Sequence, residues 1–545
     1  MFSNAAALFV ERFPRYGLSI LAWPTGVDVL PSADALWLGS LPLQHAEVLY
    51  LYGLGDGSAA LLLKDWLDRH PAHRLIFLEP QAQRIMQFLN GPLAMQVLRW
   101  AQIEIYHLPQ GKEKRALLQE MADRYPVRGA FLAQGPHLPS SEKQSMARTK
   151  LALLRKTALS HAVFVDQFMG HVPLRHLVLN ARHLPSAFYL NRMKDSFRNI
   201  PAIICGAGPS LQSSLYDLGQ MENQALVFAG GSAIAALTQQ GISPHFAIAI
   251  DPNPEEMRRL KNSFAFEVPF LFTSRLFSDC FAAVNGPFGY VRSGMSGIPE
   301  LWLDEEMGLT EPTLGALLSP ESISVTGLSA AIAYFLGCDP IIFDGLDLAY
   351  TNQRRYAAGV AASEEASHES LQPVDRHLMK KDRQGRPVVS AVRWVMEANA
   401  LSRMARRHRD RRWVNCTQGG IGIKGIETAL LSAMRSSFSS MRDLRALVHS
   451  ATQRWAMPTT TAVISEKIDE LKTSLDRVLG HLEILVQNDN AGKCALAEIE
   501  LFDEEAAAII FLDIQKTIRA LDPDRKTFDW KAFQKMALQC QRAFL

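Results

Sequence analysis

Short apolar runs closed by glycine, proline or an acid alternate with stretches of helical periodicity through most of the chain. Val48-Leu49-Tyr50-Leu51-Tyr52 leads into Gly53-Leu54-Gly55-Asp56-Gly57, an amphipathic stretch follows, and Leu75-Ile76-Phe77-Leu78 ends at Glu79. This predicts a βαβ unit. Farther on, Ile203-Ile204-Cys205 stops at Gly206-Ala207-Gly208-Pro209-Ser210-Leu211. Residues 223–250 then carry no Asp, Glu, Lys or Arg, but Gly230-Gly231, Gln239-Gln240-Gly241 and Pro244 interrupt them. The breaks predict a strand over 225–229, a helix over 232–239 and a strand over 245–250, buried as in a doubly wound sheet, so no membrane span is implied. Further strands are expected over 268–272 and 340–343, with a small-residue helix opening at 323–327 and running to Leu336. Beyond these, Ile464, Ile468, Leu471, Leu475, Val478 and Leu482 fall at helical spacing and predict a small helical bundle.

The alternation implies an α/β protein in three parts: an N-terminal Rossmann-like α/β domain with a helical connector (1–197), a Rossmann-like central domain (198–440) and a C-terminal helical domain (441–545). A length of 545 residues with 48% hydrophobic content suits several cores. Lys and Arg number 57 against 55 Asp and Glu, a formal +2 that gives no whole-chain reason to expect nucleic acid. The arginines at 403, 406, 407, 409, 411 and 412 read as the cationic end of a helix over 392–407 and its solvated flank, with no nucleic-acid role expected. Six scattered cysteines without a Cys-x-x-Cys pair read as reduced thiols. The apolar run 5–10 is followed at once by Glu11-Arg12, too short for a signal peptide, so a cytoplasmic location is expected.

The candidate chemistry gathers at strand ends. Gly206 and Gly208 lack a Cβ and can turn the chain sharply, Pro209 suits a first helical turn, and Ser210 adds a hydroxyl, so backbone N–H groups are expected to face a phosphate. The same residues also suit a plain strand-to-helix turn. In open α/β sheets ligands lie beyond the carboxyl ends of the strands, so 206–210, Asp251, 324–327 and 344–350 are expected to line one crevice. In it, Gly206, Gly208, Pro209, Ser210 and Gly345 would bind substrate with Thr326 and Thr417, while Asp251 and Asp347 would orient hydroxyls or act as base. Each carboxylate could equally cap a helix or close a strand end. Glu79 would either take ribose hydroxyls of a cofactor or cap the next helix, and no cofactor or metal residue is assigned. The segment 354–386, with a turn at Asp382-Arg383-Gln384-Gly385-Arg386, could serve as a lid. Gly420-Ile421-Gly422-Ile423-Lys424-Gly425 lacks the hydroxyl of a P-loop, Asp522-Pro523-Asp524 reads as a helix start, and His171, His176 and His183 lack a metal-site spacing.

As a set, Gly206-Ala207-Gly208-Pro209-Ser210-Leu211, the run Gly241-Ile242-Ser243-Pro244-His245-Phe246 into Asp251-Pro252, Gly345-Leu346-Asp347-Leu348-Ala349 and Asn415-Cys416-Thr417-Gln418-Gly419-Gly420 resemble the DUF115 (MptE-like) family. That family includes the motility-associated-factor (Maf) flagellin glycosyltransferases and the MptE-type pterin diphosphokinases. The resemblance covers about 201–427, and the three-part length is similar to the Maf arrangement, whose central domain is sialyltransferase-like. It implies transfer of a sialic-acid-like nonulosonic sugar from a CMP-activated donor to Ser/Thr hydroxyls of a flagellin-like protein acceptor. The alternatives are an ATP- and Mg-dependent 6-hydroxymethyl-dihydropterin diphosphokinase and a non-catalytic nucleotide-binding protein. The chain departs from the family pattern at His245, Gln418 and Arg355-Tyr356, where members carry Asp, Glu and His.

Overall fold

The computed structural model describes residues 3–17, 19–24, 30–136, 138–168, 170–261, 263, 267–319, 323–360, 377–438, 441–487, 490–512 and 529–544. Asp522-Pro523-Asp524 and much of the expected lid fall outside them. Where three parts are expected, contacts group the chain into two compact units, Met1–Val165 and Asp166–Leu545.

In the first unit β1 (Val48–Tyr52), β2 (Arg74–Glu79), β3 (Ile103–His107) and β4 (Ala130–Gln134) form a parallel sheet in the order β3-β2-β1-β4. Every residue of β1 is buried, which is why it reads as an unbroken apolar run rather than an alternation. Successive side chains serve opposite faces. Leu49, Leu51, Leu75 and Phe77 pack with the helix Asn4–Arg12 in one core, while Tyr50, Tyr52, Ile76 and Leu78 pack with Leu117, Leu118 and Met121 in the other.

The second unit is built on β5 (Phe188–Tyr189), β6 (Ala202–Cys205), β7 (Leu226–Gly230), β8 (Phe246–Ala249), β9 (Phe270–Phe272), β10 (Phe288–Tyr290), β11 (Ile341–Asp344), β14 (Trp413–Asn415) and β15 (Glu427–Thr428). They form one parallel sheet in the order β15-β14-β11-β6-β7-β8-β9-β10-β5. The chain winds outward from β6 through β7 and β8, then returns to β11 on the other flank of β6. That is the Rossmann order, with β9, β10 and β5 added beyond β8, and its switch point lies between β6 and β11. A separate antiparallel hairpin joins β12 (His377–Lys381) to β13 (Pro387–Ala391) through the predicted 382–386 turn.

Both faces of this sheet are covered. Ile204, Phe228 and Ile248 pack against Leu328, Ala331 and Ile332 of the helix Val325–Phe335 and Leu401 of the helix Val392–Arg407. Ile203, Val227 and Ala247 share a continuous core with Leu471, Leu475, Leu482, Phe511 and Phe533. The apolar stripe predicted from Ile464 onward therefore closes on its own sheet, as an amphipathic helix (Thr461–Gln487) would in a globular core. Among the described residues no helix is long and apolar enough to cross a membrane. None of the six cysteines is in a disulfide, and all but Cys494 are buried.

Candidate functional site

A cavity of about 310 Å³ opens at the carboxyl ends of β6, β7, β8 and β11, beside the switch point. Gly206 and Gly208 from the turn after β6, Asp251 after β8, and Gly345 and Asp347 after β11 line it, as does Thr326 from the first turn of Val325–Phe335. The expected convergence of four strand ends is thus present. Pro209, Ser210 and Thr417 are not in the lining. Thr417 is fully buried, and its Oγ1 accepts the Leu346 N–H at 2.9 Å, so it fixes the loop behind the crevice.

The glycine turn differs from the expected anion cradle in how its amides are used. The Gly206 N–H donates to the Asp344 carbonyl and the Gly208 N–H to the Gly345 carbonyl, both at 2.8 Å. Asp347 Oδ1 accepts the Ser210 hydroxyl at 2.6 Å and the Ser210 N–H at 3.3 Å. A carboxylate of the chain itself therefore takes the place predicted for a ligand phosphate. The segment that follows is a 3-10 turn of five residues, Pro209–Ser213, not a long helix with a strong dipole. The glycines are required by close approach rather than by positive φ. A Cβ on Gly208 would lie 2.1 Å from Asp347 Oδ1, and one on Gly206 2.5 Å from the Gly345 carbonyl oxygen.

Asp347 is 1% exposed, its Oδ2 has no partner, and burial pushes its carboxyl above the ordinary value despite the Ser210 hydroxyl. Asp344, hydrogen-bonded by the Ser214 hydroxyl, is pushed up to about 6 by burial. Both acids at the end of β11 brace the loop crossing, and Asp347, expected as a base or hydroxyl-orienting residue, spends Oδ1 on Ser210 while it lines the cavity.

Asp251 is different: its side chain is 48% exposed and faces the cavity. It continues into the helix Pro254–Leu260, whose first turn supplies Glu256 and whose next supplies Arg259. Arg259 Nη1 bridges the two acids, 2.7 Å from Glu256 Oε2 and 3.0 Å from Asp251 Oδ2. Glu256 is buried, and its carboxyl is pushed up to about 7, first by loss of water and then by the charge of Asp251. A carboxyl that titrates near neutrality beside an open cavity can accept a proton from a bound hydroxyl. Across the cavity, Glu397 of the helix Val392–Arg407 also lines the wall, and burial raises its pKa against the opposing effect of the Ser324 and Thr326 hydroxyls.

Arg355, Tyr356 and Trp394 complete the wall, the Arg355 guanidinium lying 4.8 Å from the Tyr356 ring centroid. Glu256, Arg259, Glu397 and Trp394 are lining residues that the sequence reading missed. Glu397 carried one signal: a charge among Val395, Met396 and Ala398, all of which are buried. Of the three departures from the family pattern, only Arg355-Tyr356 touches the crevice. His245 lies before β8 at the amino end of the sheet, lines a different cavity, and accepts the Val227 N–H on Nδ1 at 3.0 Å. Burial, followed by the charge of Arg445, lowers its pKa to about 4, so the ring is neutral. Gln418 turns its amide back to the Cys416 carbonyl at 2.9 Å.

Fold and crevice together define a doubly wound, Rossmann-type α/β protein with an open cavity beside the switch point. Residues 175–353 match the family model described as 6-hydroxymethylpterin diphosphokinase MptE-like. A solved Maf glycosyltransferase from Magnetospirillum magneticum AMB-1 is similar over 100% of this chain and 88% of that one, at 14% identity and a TM-score of 0.49. At that score and identity the likeness decides neither fold nor chemistry. No curated protein matches the chain.

Proposed function

We propose that the chain is a glycosyltransferase of the Maf type, moving a nonulosonic sugar from a CMP-activated donor to a Ser/Thr hydroxyl of a flagellin-like protein. The observation that carries this reading is the composition of the crevice: Glu256 bridged through Arg259 to Asp251 near the strand ends, with Tyr356 and Trp394 also in the wall. Carboxylates suit a hydroxyl-rich sugar and an acceptor hydroxyl, and an aromatic wall suits a nucleobase. In the reaction the acceptor oxygen bonds the anomeric carbon while the bond from that carbon to the CMP phosphate oxygen breaks. CMP departs with the bonding electrons, and the hydroxyl proton passes to Glu256.

The family match favours a second reading, diphosphate transfer from ATP to a hydroxymethylpterin. Electrostatics weigh against it. The described lining carries Asp251, Glu256, Asp347 and Glu397 against Arg259 and Arg355, and Arg259 is already paired. That balance accommodates a CMP-sugar, with one phosphodiester and one carboxylate charge, more easily than a triphosphate without its Mg²⁺. A third reading, nucleotide binding without turnover, shares the crevice with both.

The deciding experiment incubates the protein with CMP-sialic acid and a flagellin acceptor, or with ATP, Mg²⁺ and 6-hydroxymethyl-dihydropterin, and follows CMP release, AMP release and acceptor mass. CMP release with a mass gain on the acceptor supports the proposal. AMP release, or CMP binding without turnover, overturns it.

A further inference from the structure

The hydrogen bonds of the crevice also bear on where a ligand's negative charge goes, an inference that rests on the nucleotide reading above. The glycine turn after β6 has its Gly206, Gly208 and Ser210 amides committed to the protein. Of the two cations among the described lining residues, Arg259 is neutralised by Asp251 and Glu256. Arg355 is the other. Its Nε is buried without a hydrogen-bond partner, no acid pairs with it among the described residues, and its guanidinium lies against the Tyr356 ring.

A buried donor left without an acceptor is costly, and a planar guanidinium forms strong paired bonds to phosphate oxygens. We infer that Arg355 is the phosphate-binding residue of this crevice, and that the Gly206, Gly208 and Ser210 amides shape its floor without binding the anion. Tyr356 holds the guanidinium plane in place by stacking. The nucleoside then extends toward Trp394, which packs on Tyr350 with ring centroids 5.0 Å apart. The anion assigned here is the nucleotide phosphate, not the carboxylate of the sugar.

The test measures binding of CMP, cytidine and free N-acetylneuraminic acid to wild type, Arg355→Gln and Arg355→Lys by calorimetry, with the unliganded melting temperature as a control for folding. The expected result is that Arg355→Gln weakens CMP about tenfold or more, leaves cytidine within about twofold, and that Arg355→Lys recovers part of the loss. Equal loss of CMP and cytidine, or loss confined to N-acetylneuraminic acid, overturns the assignment and leaves the nucleotide reading standing. Failure of wild type to bind either CMP or cytidine overturns the nucleotide reading and the assignment with it.

Discussion

Two of the glycine turns that follow buried parallel strands, 53–57 and 206–210, are each occupied by a carboxylate of the protein. In the first, Glu79 Oε2 accepts the Leu54 N–H at 2.9 Å and Oε1 the Gln81 N–H at 3.0 Å, while the Pro31 carbonyl takes the Asp56 N–H at 3.2 Å. In the second, Asp347 takes both polar groups of Ser210. A residue that would read a ribose and a turn that would hold a phosphate thus satisfy each other instead. What separates the two is their surroundings. The second borders an open cavity with Asp251, Glu256 and Arg355, whereas Leu54 and Glu79 are fully buried. A glycine turn by itself marks a sharp strand exit; unspent donors beside it mark a ligand site.

Breaking the close contact should have the largest effect. Gly208→Ala is expected to cost about 4 kcal/mol, because its Cβ would meet the Asp347 carboxylate and the loop behind it, whereas Gly55→Ala should cost about 2 kcal/mol. Hydrogen exchange at peptides covering each turn reads both; equal, small losses would show that the second turn yields freely.

The next effect is a pH dependence centred on the cavity-lining Glu256. Glu256 has a carboxyl raised from 4.5 to about 7 in the folded chain. The folded state therefore holds a proton that the unfolded state has released, so stability is full below the unfolded value and falls as pH rises through about 7. Over that window the loss is about 3 kcal/mol, and Glu256→Gln should flatten it in urea denaturation at about pH 5 and about pH 8. The same substitution should remove a rise in transfer rate through neutral pH; a slope that survives it would exclude Glu256 as the titrating group.

Removing the internal acceptors sharpens the comparison further. Asp347→Ala and Glu79→Ala should each cost about 2 kcal/mol by stranding buried N–H groups, and only the first should alter CMP binding. An effect of Glu79→Ala on CMP affinity would contradict the separation of roles. Smallest is Ser210→Ala, which loses one hydroxyl bond to Asp347 and should cost about 1 kcal/mol. Calorimetry should then show nearly unchanged CMP affinity, whereas a phosphate bound directly by Ser210 would make the loss several-fold.

Much of the fold was legible locally. The strand Val48–Tyr52 and the helix Val392–Arg407 fall where the apolar runs place them, and the 382–386 turn does join two short strands. Gly206, Gly208, Asp251, Thr326, Gly345 and Asp347 line one crevice, because parallel strands share a direction and their carboxyl ends share an edge. Their roles were less legible. Asp251 and Asp347 look alike in sequence, each following an apolar strand, and both line the cavity, yet the Asp251 side chain is half-exposed while Asp347 is buried against Gly208, Ser210 and Gly419. Glu256 looks like an ordinary acid in the first turn of a short helix; only burial beside Asp251 and Arg259 gives it a proton affinity near neutrality.

The sequence by itself determined the buried strands, the turns that end them and therefore the edge of the sheet where a ligand would lie, since these follow from local periodicity and backbone permissiveness. The tertiary structure alone decided which donors at that edge remain free. Hydrogen-bond commitment depends on partners such as Ser210 and Asp347, 137 positions apart in the chain, meeting across the switch point. It also left Arg355 with a donor to spare, because no acid of the described chain folds against it.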